Sequence, residues 1–161
     1  MKHRVIGSPV GPLTLVVDDR GVLCGLYTDG HKHFPDAAAL GVRDDTIAED
    51  AVTQLGEYFA GDRTRFDLDL APRGTEFQHE VWRALSTIPA GETRTYGQVA
   101  AGLGRPGSSR AVGAATGRNP ISIVVPCHRL VGSTGSLTGY AGGIERKRWL
   151  LDHEAAGSAG R

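Results

Sequence analysis

The sequence predicts two small domains, because its 161 residues are enough for one sizeable domain or for two small ones with a shared core. Residues 1–72 are predicted to form an α/β domain with a small antiparallel sheet and a helix, because alternating apolar and polar side chains precede a helical pattern. Residues 75–154 are predicted to form a mainly α, winged helix-turn-helix-like domain, because two helix-start motifs precede an apolar run and a glycine-rich loop. Ala71-Pro72-Arg73-Gly74 breaks both patterns and marks the boundary, and residues 155–161 are predicted to be a frayed tail.

The N-terminal elements follow from hydrophobic periodicity. Alternating residues on either side of the turn Asp18-Asp19-Arg20-Gly21 predict a β-hairpin, which a short first strand can precede. Residues 30–45 have no clear period and are predicted to be a loop. The predicted regular elements are strands at 13–17 and 22–27, a helix at 47–60 that stops at Gly61, and a half-buried strand at 66–70.

The C-terminal helices are predicted from their first residues. Residues 75–78 and residues 95–98 both have the sequence of a capping box, in which two side chains satisfy free backbone N–H groups at the start of a helix. Ser108 or Ser109 can cap a third helix. The later predicted elements are that helix at 110–116, a buried β-branched strand at 121–125, a glycine-rich loop at 132–143, and a last helix at 144–154 that turns Trp149, Leu150 and Leu151 inward.

The third predicted helix consists almost entirely of alanine and glycine, with Arg110 as the long side chain near its start. Small residues permit two helices to pack closely, and they equally permit a helix backbone to approach DNA. Charge favours DNA, since residues 91–150 carry 8 Lys or Arg against 2 Asp or Glu, whereas residues 1–90 carry 9 against 14. A basic half suits a phosphate-rich partner, although clustered arginines can also form a solvated face.

The most reactive side chains lie together in Pro126-Cys127-His128-Arg129. A turn at the end of a buried segment can present a thiol and an imidazole together, and a neighbouring cation favours the thiolate. The alternative is an inert, buried cysteine beside a histidine that caps the strand. Cys24 fits that alternative better, because it lies inside an apolar strand, and its spacing to His31 and His33 is not that of a metal site.

Other features narrow the class of protein. No apolar segment is long enough to span a membrane, and the N-terminus leads into no signal-peptide core, so we expect a cytoplasmic protein with no membrane partner. In a reducing compartment the two cysteines are expected to be free thiols, and no metal is expected.

The C-terminal sequence resembles the O6-alkylguanine-DNA alkyltransferases, a family of direct-reversal DNA repair proteins. The resemblance covers residues 75–154 and is most specific at Pro126-Cys127-His128-Arg129 and at Arg110-Ala111-Val112-Gly113 upstream. The N-terminal half resembles the family in layout only. The remaining matching stretches are Thr95-Tyr96-Gly97, Ala114-Ala115, Asn119-Pro120, Gly139-Tyr140-Ala141-Gly142-Gly143, and Trp149-Leu150-Leu151 followed by His153-Glu154.

The resemblance implies a single-turnover, irreversible transfer of the alkyl group from O6-methylguanine in DNA, with O4-methylthymine as a lesser substrate, to Cys127. It implies no cofactor, and as partner it implies double-stranded DNA containing alkylated bases, bound by a monomer. His128 would deprotonate the thiol through a water, and Glu154 would orient His128. Asn119 would brace the turn, and Tyr96 would protonate or hydrogen-bond the departing guanine.

The resemblance also implies two sets of contact residues. Arg110 would enter the base stack in place of an extruded nucleotide, because O6 cannot be reached inside a duplex. The implied DNA-binding residues are Thr95, Tyr96, Ser109, Arg110, Ala111, Ala114 and Ala115. The implied base-binding residues are Tyr96, the main-chain groups of Cys127, Leu130 and Ala141, and Tyr140 as an apolar wall.

Two other functions remain open from the sequence. A winged helix-turn-helix module that only recognises alkylated bases or regulates transcription would have no use for Cys127, His128 and Glu154 together. A cysteine hydrolase would need an oxyanion hole and a turnover step, and no feature of the sequence indicates either.

Overall fold

The computed structural model describes the backbone of residues 1–159 and the side chains through residue 157; the last two residues of the predicted tail lie outside the described residues. None of the helices in this described range is long and apolar enough to cross a membrane. The elements are β1 (Lys2–Ile6), β2 (Leu13–Val17), β3 (Leu23–Thr28), α1 (Ala37–Leu40), β4 (Val42–Arg43), α2 (Glu49–Phe59), α3 (Glu76–Leu85), β5 (Arg94–Thr95), α4 (Tyr96–Gly102), α5 (Ser109–Gly117), a 3-10 helix (Cys127–Arg129), β6 (Leu130–Val131) and α6 (Ile144–Ala159).

The N-terminal residues form a four-stranded sheet with the strand order β3-β2-β1-β4. The predicted hairpin is confirmed as β2 and β3, and β1 pairs antiparallel to β2. β4 pairs parallel to β1, so the sheet is mixed. The prediction of a loop at 30–45 is wrong at α1 and β4. Asp36 caps α1 by accepting from the backbone N–H of Ala39, a local signal that the absence of periodicity concealed.

The free edge of β3 carries two later segments of the chain. The predicted strand at 66–70 does not form: its burial alternates as expected, but the segment makes only an isolated bridge between Leu70 and Leu23. Farther along β3, Leu26 forms a second isolated bridge with Ile121. Leu26 also receives a backbone hydrogen bond from Ser122 at 3.0 Å. The sheet therefore anchors the segment that leads to Cys127.

The predicted helices of the C-terminal half are present, and both capping boxes are confirmed at Thr75 and Thr95. Ser108 occupies the N-cap position of α5, but its side chain makes no capping hydrogen bond. Indole Nε1 of Trp82 donates to the carbonyl of Ala115 at 2.8 Å and ties α5 to α3. A parallel pair formed by β5 and β6 joins the start of α4 to the segment that follows Cys127.

The apolar run at 121–125 is buried, as expected, but the prediction that it is a strand is wrong. It forms a turn in which Val125 N–H donates to the Ile121 carbonyl at 3.0 Å, and Ile123 has a φ of 72°. A β-branched residue in the left-handed region is an outlier, so tertiary contacts override the β-propensity of this run.

The last helix runs to Ala159, so the predicted tail is helical at residues 155–159. Leu150 is fully buried, whereas Trp149 and Leu151 are half-buried. Both halves of the chain share one core, whose fully buried members include Leu13, Leu15, Leu26, Leu55, Val81, Leu85, Ile121, Leu130 and Leu150.

Candidate active site at the Cys127 turn

The turn before Cys127 is held by the side chain of Asn119. This buried amide donates from Nδ2 to the carbonyls of Val125, at 2.8 Å, and Ile121, at 3.4 Å, and its Oδ1 accepts from the Ile121 N–H at 3.0 Å. The amide thus replaces the partner strand that a β-branched run would otherwise need. Pro126 then leads into the 3-10 helix that begins at Cys127.

His128 is fully buried, and its Nε2 lies 2.8 Å from Oε2 of Glu154 on α6. Because an ionised carboxylate only accepts hydrogen bonds, Nε2 carries the proton and Nδ1 holds a lone pair. Nδ1 is buried and has no hydrogen-bond partner among the residues described. Burial lowers the pKa of His128, against the opposing effect of Glu154, so the imidazole is neutral and available as a base.

The carboxylate of Glu154 has three neighbours. Arg129 binds it through Nε to Oε1 at 2.8 Å and through Nη2 to Oε2 at 2.9 Å, and the hydroxyl of Tyr58 donates to Oε2 at 2.6 Å. Burial alone would raise the pKa of Glu154, but hydrogen bonds from His128 and Arg129 outweigh it and hold that pKa well below its usual value. Glu154 is therefore ionised throughout the physiological range.

Cys127 lies at the bottom of the site, with 7% of its surface exposed. Burial raises the pKa of its thiol, and the amide of Asn119 and the charge of Lys147 partly offset that increase. Lys147 on α6 is itself fully buried and donates from Nζ to the carbonyl of Thr138 at 3.0 Å. Burial lowers its pKa to about 8. The site thus places a positive charge near the thiol at neutral pH.

Sequence reasoning missed both Lys147 and Tyr58 as site residues. Lys147 lies three residues before the inward Leu150 and seven before Glu154, a spacing that puts it on the buried face of the last helix. Tyr58 lies within the helix predicted at 47–60, and a buried tyrosine needs a partner for its hydroxyl. The spacing of Lys147 and the hydroxyl of Tyr58 are both visible in the sequence, but neither shows which residue the side chain contacts.

An open cavity of about 340 Å³ lies beside the start of α5. Tyr96 and Arg110 line it, and the hydroxyl of Tyr96 donates to the Thr138 carbonyl at 3.2 Å. Burial raises the pKa of Tyr96, so its hydroxyl keeps its proton at neutral pH. Arg110 is exposed and forms no ion pair with any residue in the described range.

The structure separates the other implied DNA-binding residues. Ser109, Ala111 and Ala114 are exposed along α5. Ala115 is buried against α3, with its carbonyl occupied by Trp82, and its place among the DNA-binding residues stays a prediction. Thr95 is half-buried, and its hydroxyl oxygen accepts from Gln98 N–H as the cap of α4.

The implied base-binding residues lie around Cys127. Leu130 is fully buried, and Tyr140 and Ala141 are half-buried in the loop before α6. The hydroxyl of Tyr140 is buried without a hydrogen-bond partner among the residues described. Burial and then the nearby Cys127 raise its pKa well above the ordinary value. The carbonyl of Ala141 accepts from the backbone of Lys32, which fixes this loop to the N-terminal half.

The basic half of the chain contributes to the interior as well as the surface. Arg129 and Lys147 are buried, and half-buried Arg146 donates to the carbonyls of Val10 and Gly142. Fewer of its arginines and lysines are therefore free to meet phosphate than the charge count implies. Cys24 is buried in β3, and within residues 1–159 no three His, Cys, Asp or Glu side chains are grouped to hold a metal ion.

Two family models match this chain. Residues 76–156 match the model described as 6-O-methylguanine DNA methyltransferase, DNA binding domain. Residues 1–72 match the model described as 6-O-methylguanine DNA methyltransferase, ribonuclease-like domain. Together the two matches cover nearly all of the sequence.

Relatives of known name are similar along their whole length. A methylated-DNA--protein-cysteine methyltransferase of Mycobacterium tuberculosis is 51% identical over 158 residues, covering 94% of this chain and 91% of that protein. One from Methanosarcina acetivorans is 47% identical and covers 97% of this chain and 99% of that protein. A crystal structure of M. tuberculosis OGT in complex with DNA has a TM-score of 0.93 at 50% identity and covers 98% of this chain and 94% of that one.

A more distant structure has the same fold. The O6-methylguanine-DNA methyltransferase of the hyperthermophilic archaeon Pyrococcus kodakaraensis has a TM-score of 0.59 at 26% identity, covering 94% of this chain and 98% of that one.

Proposed function

The chain belongs to the 6-O-methylguanine DNA methyltransferase family, and on that premise we propose that it repairs DNA by moving the methyl group of O6-methylguanine to its own cysteine. O4-methylthymine is the lesser substrate of this proposal. The observation that carries it is the buried contact through which Glu154 holds His128, the residue next to Cys127, with its Nδ1 free.

Cys127 is the proposed acceptor and His128 the base. Glu154 supports the protonated imidazole, since it is ionised and accepts from Nε2. The charge of Lys147 favours the thiolate. The amide of Asn119 and the charge of Lys147 partly offset the burial that raises the pKa of the thiol.

The transfer is a single displacement. The thiol proton passes through a water to His128, and the sulfur attacks the methyl carbon, so that an S–C bond forms while the bond from carbon to O6 breaks. The electron pair of the broken bond stays on guanine, which takes up a proton from the Tyr96 hydroxyl or from solvent. The product is a thioether, which is a poor leaving group, so each molecule acts once.

Double-stranded DNA with an alkylated base is the proposed partner. The exposed residues Ser109, Arg110, Ala111 and Ala114 give α5 a surface with little side-chain bulk, which suits close approach to DNA. Arg110 is proposed to fill the stack when the base is extruded, and the base would be held between Tyr140 and the main chain at Ala141.

A monomer suffices for this activity. Every proposed catalytic group lies in one chain: Cys127, His128, Asn119, Tyr96 and Glu154. We further propose residues 1–72 as the N-terminal domain and 75–154 as the DNA-binding and acceptor domain, in agreement with the spans of the two family matches.

The test is a stoichiometric reaction. Incubation with duplex DNA containing O6-methylguanine is expected to add one methyl group to Cys127, located by peptide mass spectrometry. Cys127→Ser should add none while keeping the fold, because a serine hydroxyl ionises far less readily than a thiol. Cys24→Ser is the matched control and should transfer normally.

Other results would point to the rival functions. Binding of the modified DNA without any methyl on Cys127 would favour a recognition module. Repeated turnover with release of a free product would favour a hydrolase. A methyl group on Cys24 would overturn the choice of nucleophile.

A further inference from the structure

Tyr58 reaches the proposed active site from the opposite half of the chain. It lies on α2, its side chain is buried, and its hydroxyl donates to Oε2 of Glu154 at 2.6 Å. Its backbone carbonyl accepts from Nε2 of His153, the neighbour of Glu154 on α6, at 2.7 Å. The ring packs edge-on against His153 and beside Phe66. Two adjacent contacts therefore join α2 to the helix that carries Glu154.

The oxygen that Tyr58 binds is the one that His128 uses. Oε2 of Glu154 also accepts from His128 Nε2 at 2.8 Å and from Arg129 Nη2 at 2.9 Å, so three donors meet on one oxygen atom. Each donor withdraws electron density from the oxygen and makes the carboxylate a weaker acceptor for the others. The hydroxyl of Tyr58 thus competes directly with the imidazole.

Arg129 holds the carboxylate in place independently of Tyr58. It contacts both oxygens of Glu154, and its Nη1 donates to the carbonyl of Ile88 at 2.6 Å. Loss of the tyrosine hydroxyl would therefore leave the geometry of Glu154 largely unchanged. What changes is how strongly the carboxylate can stabilise a protonated His128.

We propose that Tyr58 is a positioning residue through which the N-terminal domain limits the strength of the contact between Glu154 and His128, and so sets how readily Cys127 gives up its proton. This inference rests on the proposed function of Cys127 as the acceptor. The titratable and charged groups around this cluster are Tyr58 on α2, Tyr96 on α4, His128 and Arg129 in the 3-10 helix, Tyr140 before α6, and Lys147, His153 and Glu154 on α6.

The direction of the effect follows from the competition. In Tyr58→Phe the carboxylate keeps two donors instead of three on Oε2 and becomes more basic, which stabilises the protonated imidazole. A thiolate beside that imidazole is then formed at lower pH. We expect the midpoint of Cys127 ionisation to fall by about half a pH unit, or about threefold more thiolate at a pH below the midpoint.

The experiment measures thiolate formation by ultraviolet absorbance against pH, in a Cys24→Ser background so that one thiol is observed. The matched control is Tyr27→Phe, because Tyr27 is a half-buried tyrosine on β3, in the same half of the chain, and its hydroxyl has no hydrogen bond to Glu154. The control should leave the midpoint unchanged. Denaturant unfolding checks that each variant is folded.

A second variant should shift the midpoint of Cys127 ionisation in the opposite direction. Replacement of Tyr58 alone by 3-fluorotyrosine retains the shape and makes the phenol a stronger donor, so the midpoint should rise. The rate of methyl transfer from O6-methylguanine DNA should follow both shifts in its pH profile. A purely structural role would reduce stability and leave the midpoint where it is.

An unchanged or raised midpoint in folded Tyr58→Phe would overturn the inference, as would an unchanged midpoint with fluorotyrosine. The absorbance measurement needs no DNA, so failure here is distinct from failure of the proposed function. The latter would appear as wild-type protein that never gains a methyl group on Cys127.

Discussion

Replacement of Glu154 by glutamine tests the buried cluster that supports His128. Glutamine keeps the shape of the side chain but brings an NH2 group into a site surrounded by donors from Tyr58, His128 and Arg129. The guanidinium of Arg129, with 7% of its side chain exposed, would lose its counter-charge. We therefore expect a loss of stability as well as slower transfer.

The magnitude can be worked out from burial. Breaking a buried ion pair by removing one partner costs about 3–5 kcal/mol. The lower end applies, because Arg129 keeps its hydrogen bond to the Ile88 carbonyl. For a chain of this size, about 3 kcal/mol corresponds to a decrease of about 6–12 °C in Tm.

The contribution of Glu154 to the free energy of unfolding decreases as the pH falls. The pKa of Glu154 is lower in the folded protein than in the unfolded chain, so the carboxylate stabilises the fold fully above a pH of about 4.3 and progressively less as the pH falls toward its folded pKa. Each pH unit below about 4.3 removes about 1.4 kcal/mol of this contribution. The difference between wild type and Glu154→Gln should therefore shrink by about 2 kcal/mol between pH 7 and about pH 3.

The assay is denaturant unfolding at both pH values, with Glu92→Gln as the matched control. Glu92 also pairs with an arginine, Arg94 at 3.2 Å, but both side chains are well exposed, so a change of about 0–1 kcal/mol is expected. A Glu154→Gln loss no larger than that of the control, or one that does not shrink on acidification, would refute the reasoning. Transfer should slow most at neutral pH and least at high pH, where the thiol ionises without help.

Two further variants test Arg110 at the start of α5 and the buried Lys147 near the Cys127 thiol. Arg110→Ala should slow repair of duplex DNA far more than it weakens binding; the loss of rate should be smaller when the target lies opposite a mismatch and nearly absent with free O6-alkylguanine base. The control Arg118→Ala, at the other end of α5, should only weaken binding and reduce its salt dependence. An equal loss of rate on duplex DNA and on the free base would contradict the role of Arg110 in base flipping. Lys147→Met should raise the pKa of the Cys127 thiol and slow methyl transfer several-fold at pH 7. The variant should have little effect well above pH 8, where Lys147 itself is neutral. The same loss of rate at every pH would indicate that Lys147 serves only in packing.

Local signals predicted the helices, and they did so because the capping boxes at Thr75 and Thr95 are satisfied by their own neighbours. The prediction of a strand at 121–125 is wrong because a short run of apolar β-branched residues indicates burial and does not determine the backbone conformation. Its turn depends on Asn119, whose amide satisfies the backbone groups that a neighbouring strand would otherwise satisfy. No periodicity reveals that one polar side chain has taken over this role.

The cluster around Glu154 could be only partly predicted for a related reason. The resemblance supplied Cys127, His128 and Glu154, but Tyr58 lies 96 positions from Glu154 and contacts it only after both halves of the chain have packed. A residue whose role depends on a contact across the core has the same local sequence as an ordinary core tyrosine. The hydrogen bond to Glu154 distinguishes Tyr58 from such a tyrosine, and the spacing of the sequence does not.

The depth of Cys127 constrains how any DNA substrate must bind. Only 7% of the residue is exposed, and an open cavity whose lining includes Tyr96 and Arg110 lies at the start of α5. The edge of a stacked base cannot reach a thiol buried to this extent, because its neighbours and both backbones would have to follow it. A single extruded nucleotide can enter, and the energy of unstacking must then be offset at the surface it leaves. Arg110 is a long, exposed side chain without an ion pair in the described range, so we expect it to fill the space that the extruded base leaves.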